Sequence, residues 1–216
     1  MENTHDLMQT YLLKKNEIAQ RLEEFSEVKE KGDGALLEEL AFCICTANSS
    51  AAAAWKAQQK LAQTGLLYSD SKEKIAETLV SSGVRFHNHK AGYIIEARKK
   101  LFDEKKLAQY LSEHGEKTNQ VELRNKLAKE VMGIGLKEAG HFLRNSGIAS
   151  EIAILDRHIL KNLQKYGAIE KMPKTLTPKN YFEIEQKMMK FSKKEGIPMA
   201  HLDLLFWSEQ TGRIFK

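Results

Sequence analysis

The chain has few of the residues that would commit it to several common architectures. It contains two cysteines and three prolines in 216 residues. Cys43 and Cys45, at i and i+2 on an expected helix, point to different faces and are badly placed to bond each other, so they read as small buried residues in a reducing compartment. No apolar run approaches the ~20 residues that a membrane helix needs, and the opening MENTHDLMQT is polar, unlike a secretory signal. A soluble, intracellular protein is expected. Strand-like alternation, internal repeats and low-complexity tracts are also lacking, and the expected fold class is all-α. His87, His89 and His141 share no metal-ligand spacing with each other or with a cysteine, which argues against a zinc site.

Positive charge is present in excess. The formal net charge is +5, which favours an anionic partner, with nucleic acid the leading class.

Helical periodicity covers residues 6–31 and stops at Gly32-Asp33-Gly34, read as a helix end and hinge. An apolar helix is expected over 35–46. Asn48-Ser49-Ser50 interrupts it, and Ser49 or Ser50 can cap the alanine-rich helix that follows. Further helices are expected over 72–81, 91–102 and 105–113, with an unusual polar patch, Val84-Arg85-Phe86-His87-Asn88-His89-Lys90, ahead of the second. Beyond Gly167, residues 172–178 form a linker, and helices over 179–194 and 199–209 flank Gly196-Ile197-Pro198.

The chain is organised around residues 120–160. A helix over 121–131 runs into Met132-Gly133-Ile134-Gly135, and a second helix begins near Leu136. Gly133 and Gly135 flank one apolar residue and allow a tight reversal with positive φ. The local reading is a helix-hairpin-helix. The unpaired N–H groups at the start of its second helix make a seat for phosphate. Lys137 follows the turn directly, and Asp156 opens a third helix nineteen residues later. A neutral amine attacks the anomeric carbon of a sugar and forms a Schiff base. A carboxylate nearby stabilises the positive charge that develops as the base departs. Read singly, Lys137 is also what a solvated helix residue looks like, and Asp156 is also an ordinary N-cap.

MGIGLKEAGHFLRN with AILDRHIL resembles the hairpin and aspartate loop of the helix-hairpin-helix DNA glycosylase superfamily, where the hairpin lysine marks the members that combine glycosylase and lyase activity. The resemblance covers most of the chain from about Leu36 and implies a helical barrel over 36–145 that contains the hairpin. Residues 1–35 and 146–216 form a second helical subdomain, with a DNA-binding cleft between the two. It assigns Lys137 and Asp156 to catalysis. DNA contacts fall to Gly133, Gly135, His158 and Asn48, whose amide fills the gap left in the duplex.

Iron-sulfur members carry four clustered cysteines after the aspartate helix, and no cysteine lies beyond Cys45, so no cofactor is expected. The chain most resembles the compact archaeal and bacterial 8-oxoguanine glycosylase type 2, which ends in a lysine. That likeness implies that Phe86 and Trp207 stack on the expelled base and that Lys216 helps read it. A carbonyl near Pro198 is the candidate acceptor for the N7–H that distinguishes 8-oxoguanine from guanine. The partner is then duplex DNA containing 8-oxoguanine, the expected state a monomer, and the location the prokaryotic cytoplasm, with the nucleoid. A glycosylase/lyase for an oxidised pyrimidine or a mismatch, and a non-catalytic DNA-binding helix-hairpin-helix protein, stand as alternatives.

Overall fold

The computed structural model describes residues 4–103, 107 and 119–216. The helix expected over 105–113 lies outside the described residues. Among the described residues the chain is helical without strands: α1 Thr4–Glu30, α2 Asp33–Thr46, α3 Ala51–Gln63, α4 Lys72–Ser81, α5 His87–Leu101, α6 Gln120–Glu130, α7 Leu136–Asn145, α8 Arg157–Lys165, α9 Pro178–Glu195 and α10 Met199–Thr211, with a 3-10 turn at Leu66–Tyr68. None of these helices is long and apolar enough to cross a membrane.

Side-chain caps set several of the starts. Ser50 accepts the Ala53 N–H at 3.1 Å, Asn119 that of Val121 at 3.0 Å, and Thr177 that of Asn180 at 3.3 Å. Each satisfies a donor that the first helical turn leaves unpaired.

The chain falls into two compact units, one of residues 26–148 and the other of residues 1–25 with 149–216. In the first, α2 is the central element, packed against α3, α5 and α7. Ten of its fourteen residues are buried, as a helix surrounded by neighbours requires. Its one buried carboxylate is bonded: Glu39 Oε1 accepts from Asn145 Nδ2 of α7 at 2.6 Å. Gly32 takes the positive φ of 86° that ends α1's continuation. Gly34, expected in a hinge, is instead helical within α2, where a Cβ would come 3.1 Å from the Tyr68 hydroxyl. The other glycine-rich breaks fall where the chain turns.

In the second unit α10 packs against α8 and α9. The early part of α1 joins it through Tyr11, 3.1 Å from His201 Nδ1, and Lys14, which donates to Ser208 Oγ at 3.0 Å. Ile152–Leu155 is a buried non-helical run whose backbone groups need partners away from water. α9 supplies them: Glu185 accepts the Ala153 N–H at 2.8 Å, and the Tyr181 hydroxyl donates to Ala153 O at 2.6 Å. This run leads directly into Asp156.

Candidate active site

The hairpin forms as its sequence implies, with one correction. Gly133 has φ 89°, while Gly135 has φ −101°, so one left-handed glycine makes the reversal. Gly133 is doubly required, because a Cβ there would lie 2.4 Å from the Tyr93 ring. The Gly135 N–H, expected to face a phosphate, is accepted by Glu138 Oε2 at 3.2 Å. With Ala139 N–H donating to Gly135 O as the first intrahelical bond, the other donors free of intrahelical carbonyls at this start belong to Leu136, Lys137 and Glu138.

Lys137 is the second residue of α7. Its side chain is 27% exposed, so the amine is reachable, and Nζ lies 3.0 Å from Glu138 Oε1. Glu138 therefore holds the turn with one oxygen and the lysine with the other. The sequence reading missed this residue, although a glycine N-cap followed three positions later by glutamate is a capping-box spacing.

Asn48, Phe86 and Gly133 meet at one cavity of about 330 Å³, whose lining also includes His89, Lys90 and Tyr93. Asn48 (φ 54°) and Phe86 (φ 56°) are the two non-glycine residues with positive φ among the described residues. A bulky residue in that conformation is uncommon, and such backbone persists where surrounding structure holds it. Phe86 is 60% exposed, so it is not core packing. It stands at the N-cap of α5, which begins at His87, not at residue 91 as expected. Ser50, not Asn48, caps α3, leaving the Asn48 amide outside that role. His89 stacks on Tyr93 with ring centroids 6.4 Å apart. The aromatic character of this wall was not read from the sequence, because His89 and Tyr93 align only once α5 includes both.

Both cysteines are buried and outside any disulfide, and burial pushes the Cys45 thiol up to about 12.

In the other unit, Asp156 caps α8: Oδ1 accepts the N–H groups of His158 at 2.7 Å and Ile159 at 2.8 Å. Oδ2 has no role in that cap. The His158 Nδ1 is buried with no hydrogen-bond partner among the described residues. Trp207 is half-buried on α10, its ring 6.1 Å from that of Phe215, over which the Arg213 guanidinium lies at 4.7 Å. Lys216 is half-buried beside this cluster in sequence. The Pro198 carbonyl accepts the Leu202 N–H at 2.9 Å, and the Ile197 carbonyl accepts from Ser192 Oγ at 2.6 Å. Each candidate carbonyl near Pro198 thus already has one donor. No group of three or more His, Cys, Asp or Glu residues that could hold a metal ion occurs among the described residues.

A reversal through one left-handed glycine into a helix with lysine at its second position defines a helix-hairpin-helix protein, here on an all-helical scaffold with a helix-capping aspartate downstream. A family model described as 8-oxoguanine DNA glycosylase matches residues 18–197. An 8-oxoguanine DNA glycosylase/AP lyase of Fusobacterium nucleatum is 39% identical over 218 aligned positions, covering 100% of this chain and 98% of that protein. The crystal structure of the Thermotoga maritima 8-oxoguanine DNA glycosylase superposes with a TM-score of 0.85 at 32% identity, covering 98% of this chain and 97% of that one. The Methanocaldococcus jannaschii 8-oxoguanine glycosylase/lyase, crystallised with a 15mer DNA containing 8-oxoguanine, gives a TM-score of 0.84 at 32% identity, covering 97% and 99%. The chain belongs to the 8-oxoguanine DNA glycosylase family.

Proposed function

We propose that this protein excises 8-oxoguanine from duplex DNA and cleaves the strand at the resulting site, with Lys137 as nucleophile and Asp156 as the stabilising carboxylate. The observation that carries the reading is a reachable amine at the second position of the helix that leaves the hairpin turn. Family membership and the DNA-bound relative support the substrate class.

The lesion nucleotide leaves the stack, at a cost of a few kcal/mol that a damaged pair lowers. Once the Lys137 ammonium has given up a proton to solvent, its amine attacks C1′ as the glycosidic bond breaks, and 8-oxoguanine departs with the bonding pair and takes up the proton released as the new C–N bond forms. Ring opening gives an imine between Lys137 and C1′. Loss of a C2′ proton then expels the 3′ phosphate by β-elimination. Asp156 offsets the positive charge that builds on the sugar. Asn48 fills the vacated position, Phe86 and Trp207 stack on the base, and Lys216 contributes to reading it. Gly133, Gly135 and His158 lie along the DNA backbone. No cofactor takes part, and the protein acts as a monomer with the nucleoid as its location.

Single-turnover cleavage of a duplex with one 8-oxoguanine opposite cytosine, beside duplexes carrying thymine glycol or uracil, tests the substrate. The 8-oxoguanine strand is cut preferentially. Borohydride traps enzyme on that strand, and Lys137→Gln abolishes trapping; undiminished trapping by the variant removes Lys137 from the role.

A further inference from the structure

Lys90 is a buried cation that the chemistry above does not use. It sits on α5 with 4% of its surface exposed, and burying a charge is costly unless every donor is matched. Here each of the three ammonium protons has an acceptor: Cys45 O at 2.9 Å, Ala47 O at 2.5 Å and Ser49 Oγ at 3.1 Å. The first two belong to the C-terminal end of α2, where unpaired carbonyls and the helix dipole favour a cation. Burial presses the Lys90 pKa down and the Lys137 charge acts the same way, while Cys45 and Glu138 oppose it.

Ser49 extends the network. Its Oγ also accepts the Arg85 N–H at 2.9 Å, the residue immediately before Phe86. One ammonium and one hydroxyl therefore join the loop carrying Asn48 to the turn carrying Phe86. These are the two non-glycine residues held at positive φ among the described residues, and both line the 330 Å³ cavity. A methionine would fill the same volume without the cost of desolvating a charge, but it could not tie three oxygens together.

We propose that Lys90 is a positioning residue for lesion engagement: its ammonium, through Ser49, clamps the Asn48 loop to the Phe86 turn so that both side chains are set before DNA arrives. The inference rests on the proposed glycosylase function. It extends that function to a residue whose ammonium is spent on three protein oxygens.

The test compares full-length wild type with Lys90→Met and Ser49→Ala. Base release is followed in single-turnover reactions on a duplex with one 8-oxoguanine opposite cytosine, and rates are normalised to the active fraction from borohydride trapping on an abasic duplex. Each variant loses roughly tenfold to a hundredfold in normalised rate, as small displacements of positioned groups do. Affinity for the undamaged duplex of the same sequence stays at the wild-type level, so selectivity for the lesion duplex falls. A purely structural role would lower the active fraction and leave the normalised rate and selectivity untouched, and that result overturns the proposal. Ser49→Ala removes only a hydroxyl, so it gives the answer even if Lys90→Met does not fold. A wild type that cuts no lesion overturns the functional reading together with this one, whereas an active wild type matched by both variants overturns this one alone.

Discussion

Glu138 Oε1 lies 3.0 Å from Lys137 Nζ, while Oε2 of the same carboxylate accepts the Gly135 N–H at 3.2 Å. One side chain thus couples the hairpin turn to the amine next to it. Glu138→Ala leaves the Gly135 donor unmatched at the helix start and costs about 1 kcal/mol, the usual size of a lost cap. Glu138→Gln keeps an acceptor and recovers most of that loss. Urea unfolding midpoints check both; equal losses in the two variants would assign the stabilisation to the ion pair instead of the cap.

Gly133 meets two separate constraints, a φ of 89° and the Tyr93 ring 2.4 Å from where a Cβ would stand. Gly133→Ala is expected to cost roughly 2–4 kcal/mol, combining left-handed strain with overpacking. In a Tyr93→Ala background the same change costs less, because the steric part is gone and the backbone part remains. A double-mutant cycle by denaturant unfolding measures the difference. No coupling between the sites would mean that the ring moves aside freely.

Asp156 has a structural duty that any catalytic assignment has to be separated from. Its Oδ1 caps α8 through two N–H groups. Asp156→Asn preserves an acceptor and is expected to hold the melting temperature near wild type while strongly slowing single-turnover base release. Asp156→Ala loses about 1 kcal/mol of stability as well. A fully active Asn variant would show that the negative charge is dispensable.

Alkaline stability should report on Tyr166. Burial pushes its phenol up from 10.0 to about 12, with the bond to Glu209 acting in the same direction and Lys165 against it. The unfolded chain then loses this proton at lower pH than the folded one, so the unfolded state binds fewer protons between pH 10.0 and about 12, and stability falls as pH rises through that window. Below pH 10.0 both states keep the proton and the contribution is constant. Tyr166→Phe flattens the slope, as measured by urea midpoints across the window. An unchanged slope in the variant would place the titrating group elsewhere.

The parts of the site that could be read in advance are those written over a few neighbouring residues. The hairpin glycines, Lys137 behind them, Asp156 at a helix start and a capping serine at 49 or 50 all depend on spacings within one or two helical turns, and the structure selects Ser50 for the cap. Glu138 was legible in the same way and was overlooked. Gly34 misled because glycine permits a hinge without requiring one, and α2 gains more from burying its surroundings than it loses by keeping a glycine in its first turn. The α5 start at His87 was hidden because no side chain caps it and Phe86 precedes it in a left-handed conformation, which phenylalanine does not announce.

By itself, then, the amino-acid sequence determined the helical class, the hairpin, the lysine just behind its turn and the aspartate that starts a later helix, since local periodicity and turn chemistry act over short stretches of chain. The tertiary structure alone decided which distant groups complete them. Lys90 meets Cys45 O across 45 positions and Ser49 across 41, and Glu185 reaches the Ala153 N–H across 32. These partners are chosen by the need to satisfy buried polar groups wherever packing brings them together. No periodic pattern along the chain records that choice, because it is made only when the helices of each unit have packed.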